Sequence, residues 1–187
     1  MRNQKIKNMV GIALLMAVVV VLQLLGSFVR LGPVEVSLVL LPIVIGAAVY
    51  GPTAGAILGA TFGAVVLAQP GTVFFYDMSV FGTVITVMAK GALSGWLSGL
   101  TYRALAKKAP MLAVILCSVV CPVVNTGIFF LGCMTFFYKD LAIMGENVAL
   151  FVITSFIGFN FVAEFLVNVL CCPVIVRLLH VLKISKS

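Results

Sequence analysis

Two formal charges, Lys90 and Glu164, lie well inside stretches that are otherwise apolar. A charge at mid-bilayer costs at least ~2.5–3.5 kcal/mol even on the lenient insertion scale. Such residues therefore face the interior of a helix bundle, pair with each other, or meet a bound molecule. Glu164 belongs to a series: Asn160, Glu164 and Asn168 are spaced i, i+4, i+8 and share one helix face. Asn125 is a further amide in another apolar stretch. An ammonium, a carboxylate and several amides are the groups that hold a small polar molecule by hydrogen bonds. Two plainer readings stand beside this one. Lys90 and Glu164 can neutralise each other without a ligand, and the amides can serve as interhelical glue.

Catalytic chemistry has little support. The single histidine, His180, falls near the end of the last apolar stretch, away from that polar group. There is no nucleophile elbow, no HExxH and no GxxxxGK[ST], which excludes ATP hydrolysis through a P-loop. The five cysteines, Cys117, Cys121, Cys133, Cys171 and Cys172, lie in or beside apolar spans and form no CxxC pair. They read as small buried hydrophobes, giving no metal site, no disulfide framework and no cofactor. The chain is not expected to be an enzyme. Uphill movement of a solute would need energy from a partner or an ion gradient, and no clear inverted repeat of the secondary-transporter kind is visible.

The elements that must position these groups are membrane helices. Only 9% of the residues are charged and the mean hydropathy is +1.28, too little polar surface to cover a soluble domain. The 187 residues suffice for one integral-membrane unit, residues 1–187, with no separate soluble domain. The basic start is followed by 22 uncharged residues, Asn8 to Val29. That run is longer than a signal-peptide core and lacks a clear small-x-small cleavage site, so it reads as a retained first helix. Spans are expected at about 9–28, 36–49, 53–68, 79–102, 111–136 and 148–181. Tyr50-Gly51-Pro52 divides the long block after Glu35 into two short helices. Thr72 to Asp77 and Lys139 to Asn147 are expected as loops. The fold class is an all-α membrane protein, a six-transmembrane-helix bundle.

Charge orients the bundle. Alternation places Arg2, Lys5, Lys7, Arg103, Lys107, Lys108, Arg177, Lys183 and Lys186 on one side, and Arg30 and Lys139 on the other. Glu35, Asp77, Asp140 and Glu146 join the second side. The positive-inside rule then puts both termini in the cytoplasm.

Three small-residue series remain. Ala13 and Ala17 lie four apart in the first helix, Gly55, Gly59 and Gly63 repeat in the third, and Gly91, Gly95 and Gly99 in the fourth. Each makes a smooth stripe along one face, on which helix backbones approach closely in lipid. For the glycines, packing within the bundle is the preferred reading. The outer loop Gln69–Asp77 carries Phe74, Phe75, Tyr76 and Asp77, which would either cover a pocket or anchor at the headgroup level.

Order and spacing of these elements resemble the substrate-binding S component of energy-coupling factor (ECF) transporters, bacterial vitamin importers. The resemblance spans nearly the whole length. It rests on the basic N-terminus, Ala13-Leu-Leu-Met-Ala17, Leu41-Pro42-Ile43, Tyr50-Gly51-Pro52-Thr53-Ala54-Gly55, Lys90-Gly91, Asn125-Thr126-Gly127-Ile128-Phe129 and Gly158-Phe159-Asn160-Phe161-Val162-Ala163-Glu164. It implies that Ala13 and Ala17 dock against a membrane-embedded coupling subunit. It also implies that two cytoplasmic ATPases drive transport and that the whole subunit topples to carry its cargo inward. The implied substrate site lies toward the outside, with Lys90, Asn125, Asn160, Glu164 and Asn168 as candidate pocket residues and Tyr76 and Asp77 as candidate lid residues. The implied location is the bacterial plasma membrane.

Among vitamins, the Lys, Asn and Glu lining suits pantothenate first, whose carboxylate Lys90 would pair. Riboflavin follows, since the 14 Phe and Trp96 offer rings for stacking. Two other function classes compete. One is a structural membrane protein of the rod-shape-determining MreD type, with a filled interior and no substrate. The other is a stand-alone permease needing no ATPase partner.

Overall fold

The computed structural model describes residues 2–28, 30–31, 34–35, 39–144, 147–173 and 175–177. An uninterrupted apolar run forms α1 (Arg2–Phe28). A two-residue antiparallel pair follows, β1 (Arg30–Leu31) and β2 (Val34–Glu35), with Arg30 opposite Glu35. Then come α2 (Leu40–Tyr50) and α3 (Pro52–Leu67). The break between them is a backbone effect. Gly51 adopts φ 97°, a conformation open to glycine, and Pro52 starts the next helix where its missing N–H costs nothing. The Gly51 N–H closes α2 on the Ala47 carbonyl at 3.1 Å.

A 3-10 turn, Pro70–Thr72, leads into α4 (Val73–Met78) and then α5 (Val80–Leu105). The side chain of Ser79 caps α5 by accepting from the Gly82 N–H at 3.2 Å. Beyond a short turn, α6 (Pro110–Phe136) runs back, followed by α7 (Tyr138–Met144). The last described stretch is α8 (Val148–Val152), a π-helical segment Ile153–Ile157, and α9 (Gly158–Leu170), which succeed one another without an intervening turn.

Two expected loops are helical instead. Thr72–Asp77 lies largely in α4, and Lys139–Met144 lies in α7. In the first case tertiary bonds compensate for a sequence too short to hold a helix alone. The Thr72 hydroxyl donates to the Val66 carbonyl at 2.6 Å, Tyr76 Oη to Leu67 at 2.9 Å, and the Thr83 hydroxyl to Phe75 at 2.7 Å. The second expected span begins at Leu40 rather than Val36, and residues 36–38 lie outside the described set. So do residues 174 and 178–187, where the expected sixth span would end, and with them His180, Lys183 and Lys186.

By length and composition, three helices can cross a bilayer: Gln4–Gly26, Val80–Leu105 and Pro110–Phe136. The pair Pro52–Leu67 and Pro70–Met78 qualifies together but is bent by 78°. Leu40–Tyr50 is apolar and shorter. Among the described residues the protein is thus an almost wholly helical membrane protein.

Helices α3 and α5 approach to backbone contact. A Cβ placed on Gly59 would meet the Gly91 carbonyl, and one on Gly91 would meet Gly59. Gly55 and Gly95 stand in the same reciprocal relation, and Gly99 faces Pro52. The two glycine series therefore hold one helix against the other, the arrangement that lipid favours when hydrophobic burial supplies little drive. Apolar packing falls into two clusters. One joins Val19, Ile43, Leu58, Val114, Cys117 and Cys121; the other joins Cys133, Phe137, Leu141, Val148 and Val152. Along α6, Asn125 sits between them.

Candidate binding site

Where the two clusters separate, α5, α6 and α9 meet around polar side chains. Glu164 on α9 is 3% exposed and Asn168, one turn on, is fully buried. Asn125 on α6 and Lys90 on α5 lie near enough to the Glu164 carboxylate to act on it electrostatically. Lys90 Nζ lies over two rings, 5.0 Å from the centroid of Phe129 on α6 and 5.9 Å from that of Phe62 on α3. A desolvated ammonium gains a cation–π contribution in that position. Asn168 Nδ2 donates to the Glu164 backbone carbonyl at 2.9 Å.

Among the described residues, four buried side-chain atoms along α5, α6 and α9 have no hydrogen-bond partner: Thr86 Oγ1, Ser118 Oγ, Asn125 Oδ1 and Asn168 Oδ1. Buried polar atoms nearly always find a partner, so the two asparagine oxygens beside Glu164 call for water or a bound molecule. Pro122, lacking an N–H, leaves the Ser118 carbonyl without its usual helical donor.

Among the expected pocket residues, the fold brings Lys90, Asn125 and Glu164 into one cluster and sets Asn168 directly below it. Asn160 is on α9 one turn before Glu164, and its side chain lies outside the described set. The expected lid residues sit on α4. Tyr76 is half-buried and its hydroxyl is tied to the Leu67 backbone at 2.9 Å. Asp77 is exposed. The link from α4 to the cluster runs through Phe75 instead, whose ring meets Phe129 edge-on at 5.6 Å and Phe137 at 5.4 Å.

Several members escape a reading of the sequence. Phe62 and Phe129 cradle Lys90, yet a phenylalanine in an apolar stretch carries no contrast. Thr86, Ser94 and Ser98 do leave a signal, since with Lys90 they recur every four residues along α5. All three are buried, and Ser98 Oγ donates to the Cys117 carbonyl at 2.8 Å.

Ala13 and Ala17 are elsewhere, on an exposed face of α1 with Met9, Val10, Leu14, Val18 and Val21. The opposite face holds α1 to the bundle. Tyr50 reaches across to Gly11, where a Cβ would collide with its ring. At the other end Gln23 Nε2 donates to Gln69 Oε1 at 2.9 Å, and Gln69 Nε2 donates back to the Gln23 carbonyl at 3.1 Å.

A family model described as "ECF transporter, substrate-specific component" matches residues 7–176, which takes in every helix described above. The chain belongs to that family: it is the substrate-specific component of an ECF transporter. Membership makes it a membrane transport subunit, and it implies a substrate and an energising module of membrane and ATPase subunits. No curated protein and no solved structure matches the chain.

Proposed function

We propose that this chain is the high-affinity substrate-binding subunit of an importer for a small water-soluble vitamin or vitamin precursor in the bacterial plasma membrane. It would cross the membrane six times with both termini in the cytoplasm. The observation that carries the binding role is the cluster of half-buried Lys90 with buried Asn125, Glu164 and Asn168, and the unpartnered oxygens of the two asparagines. A site that merely neutralised itself would have no use for the unsatisfied oxygens of Asn125 and Asn168 beside Glu164. Pantothenate fits this chemistry first: its carboxylate suits Lys90, and its amides and hydroxyls suit the asparagines and Thr86. Riboflavin is second, its ring system suiting Phe62 and Phe129. Neither carrier chemistry nor catalysis is asked of this subunit. Ala13 and Ala17 are its docking strip for the coupling subunit, because a small-residue face lets a partner helix come close. The two cytoplasmic ATPases of that module supply the energy.

Mass spectrometry of small molecules retained by the detergent-purified protein tests the reading. A vitamin released on denaturation is the expected result, and a protein that retains and binds none from a panel of vitamins overturns it. For the docking strip, Ala13→Trp and Ala17→Trp should abolish uptake in cells while ligand binding by the purified subunit stays unchanged. Equal loss of both would argue against a coupling surface.

A further inference from the structure

A concavity of about 640 Å³ opens away from the polar cluster, between the α2–α3 turn and the end of α5. Ala47, Tyr50, Pro52 and Thr53 form one wall. The other is a stripe of α5: Trp96, Leu100 and Arg103 at i, i+4, i+7 share a helix face, and Lys107 follows in the turn beyond. The stripe changes character along its length. Trp96 is 41% exposed and Leu100 36%, on a helix apolar enough to span a bilayer. Arg103 and Lys107 are exposed as well. Seven residues of helix separate Trp96 from Arg103, about 10 Å, so the apolar part of the groove lies deeper in the membrane than the cationic part.

Among the described residues no carboxylate pairs with these cations. The sequence has none from 78 to 139 and none from 36 to 76. Asp77 precedes the opposite end of α5, and Asp140 follows the far end of α6. The first turn of α3 also opens here, where the Thr53 N–H has no partner within its own helix.

We propose that this groove binds one anionic phospholipid. The phosphate lies between Arg103 and Lys107, and an acyl chain follows Trp96 and Leu100. Basic pockets between membrane helices bind anionic headgroups in this way. An acidic protein segment would match the two cations but would leave the apolar half of the groove unmatched. The inference rests on the membrane setting of the chain and not on which substrate the polar cluster holds. The leaflet, the cytoplasmic one, follows from the orientation proposed above.

Native mass spectrometry of the intact protein in detergent, titrated with phosphatidylglycerol or phosphatidylcholine of matched chains, tests it. One phosphatidylglycerol should be retained at least ten-fold more strongly than phosphatidylcholine. Arg103→Gln with Lys107→Gln should remove that preference, and Lys107→Gln alone should reduce it should the double variant fail to purify. Arg103→Lys should keep it, and Trp96→Ala should weaken both lipids. Lys5→Gln with Lys7→Gln, on α1, should change nothing. Equal retention of the two lipids, or undiminished preference in the double variant, overturns the proposal. Displacement of phosphatidylglycerol by equimolar inorganic phosphate would assign a free-anion site instead, and displacement by an acidic peptide a protein-docking site; either also overturns it.

Discussion

Asn125 stands beside the Glu164 carboxylate, and among the described residues its side-chain oxygen has no hydrogen-bond partner. On the proposed reading, that oxygen separates a site for a guest from a closed internal pair. Glu164→Gln keeps the size of the side chain and removes its charge, and Asn125→Ala removes the donor and the spare acceptor together. A hydrogen bond to a charged group is worth ~1.5–3 kcal/mol, so each change should weaken ligand affinity by roughly ten- to a hundred-fold, measured by calorimetric titration of the purified subunit. Unchanged affinity with a lowered melting temperature would mean that the cluster only neutralises itself. Lys90 and Glu164 were legible in the sequence because a charge inside an apolar stretch has no ordinary structural reason. Phe62 and Phe129 were not. Their role comes from where three helices bring them, and 14 phenylalanines in one apolar chain look alike until the fold separates them.

Helices α3 and α5 test the same kind of argument at the level of packing. Where a Cβ on Gly59 would meet the Gly91 backbone carbonyl, no side chain can move aside, so the helices themselves must part. Gly59→Val should therefore destabilise the bundle by about 1–3 kcal/mol, read as a lowered melting temperature in detergent. Gly127→Ala is the control, because a Cβ there meets nothing within 4 Å; an equal loss at both positions would sink the explanation. The four-residue glycine spacing was visible in the sequence, and so was the stop at Gly51-Pro52, since both are local constraints on backbone shape. Helices α4 and α7 were not. Six residues, VFFYDM, carry no helical signal of their own. They are wound by bonds to carbonyls of α3 and by Phe75 packing on α6, contacts that no window of sequence contains. The π-helical segment Ile153–Ile157 has no sequence signal that we can identify.

For the molecule as a whole, the proposed orientation puts the end that carries the basic residues of the N-terminus, the segment after α5 and the C-terminal tail at the cytoplasm. Reporter domains fused to either terminus should both be active only in the cytoplasm. A reporter active outside at one terminus would remove a span from the proposed six. The same polarity sets the polar cluster apart from both surfaces that face other molecules, since the lipid groove is at the basic end and the alanine strip is on α1. The spanning window of α1 is 11% buried, against 39% for α5 and 33% for α6. A helix so sparsely covered by its own chain, pinned at Gly11 and Gln23, behaves like an outrigger whose free flank answers to its neighbours in the bilayer. On the proposed reading, the cavity that selects cargo and the flank that recruits the motor share almost no side chains. Changes to one would then leave the other intact, and a single engine could drive carriers whose interiors have nothing in common.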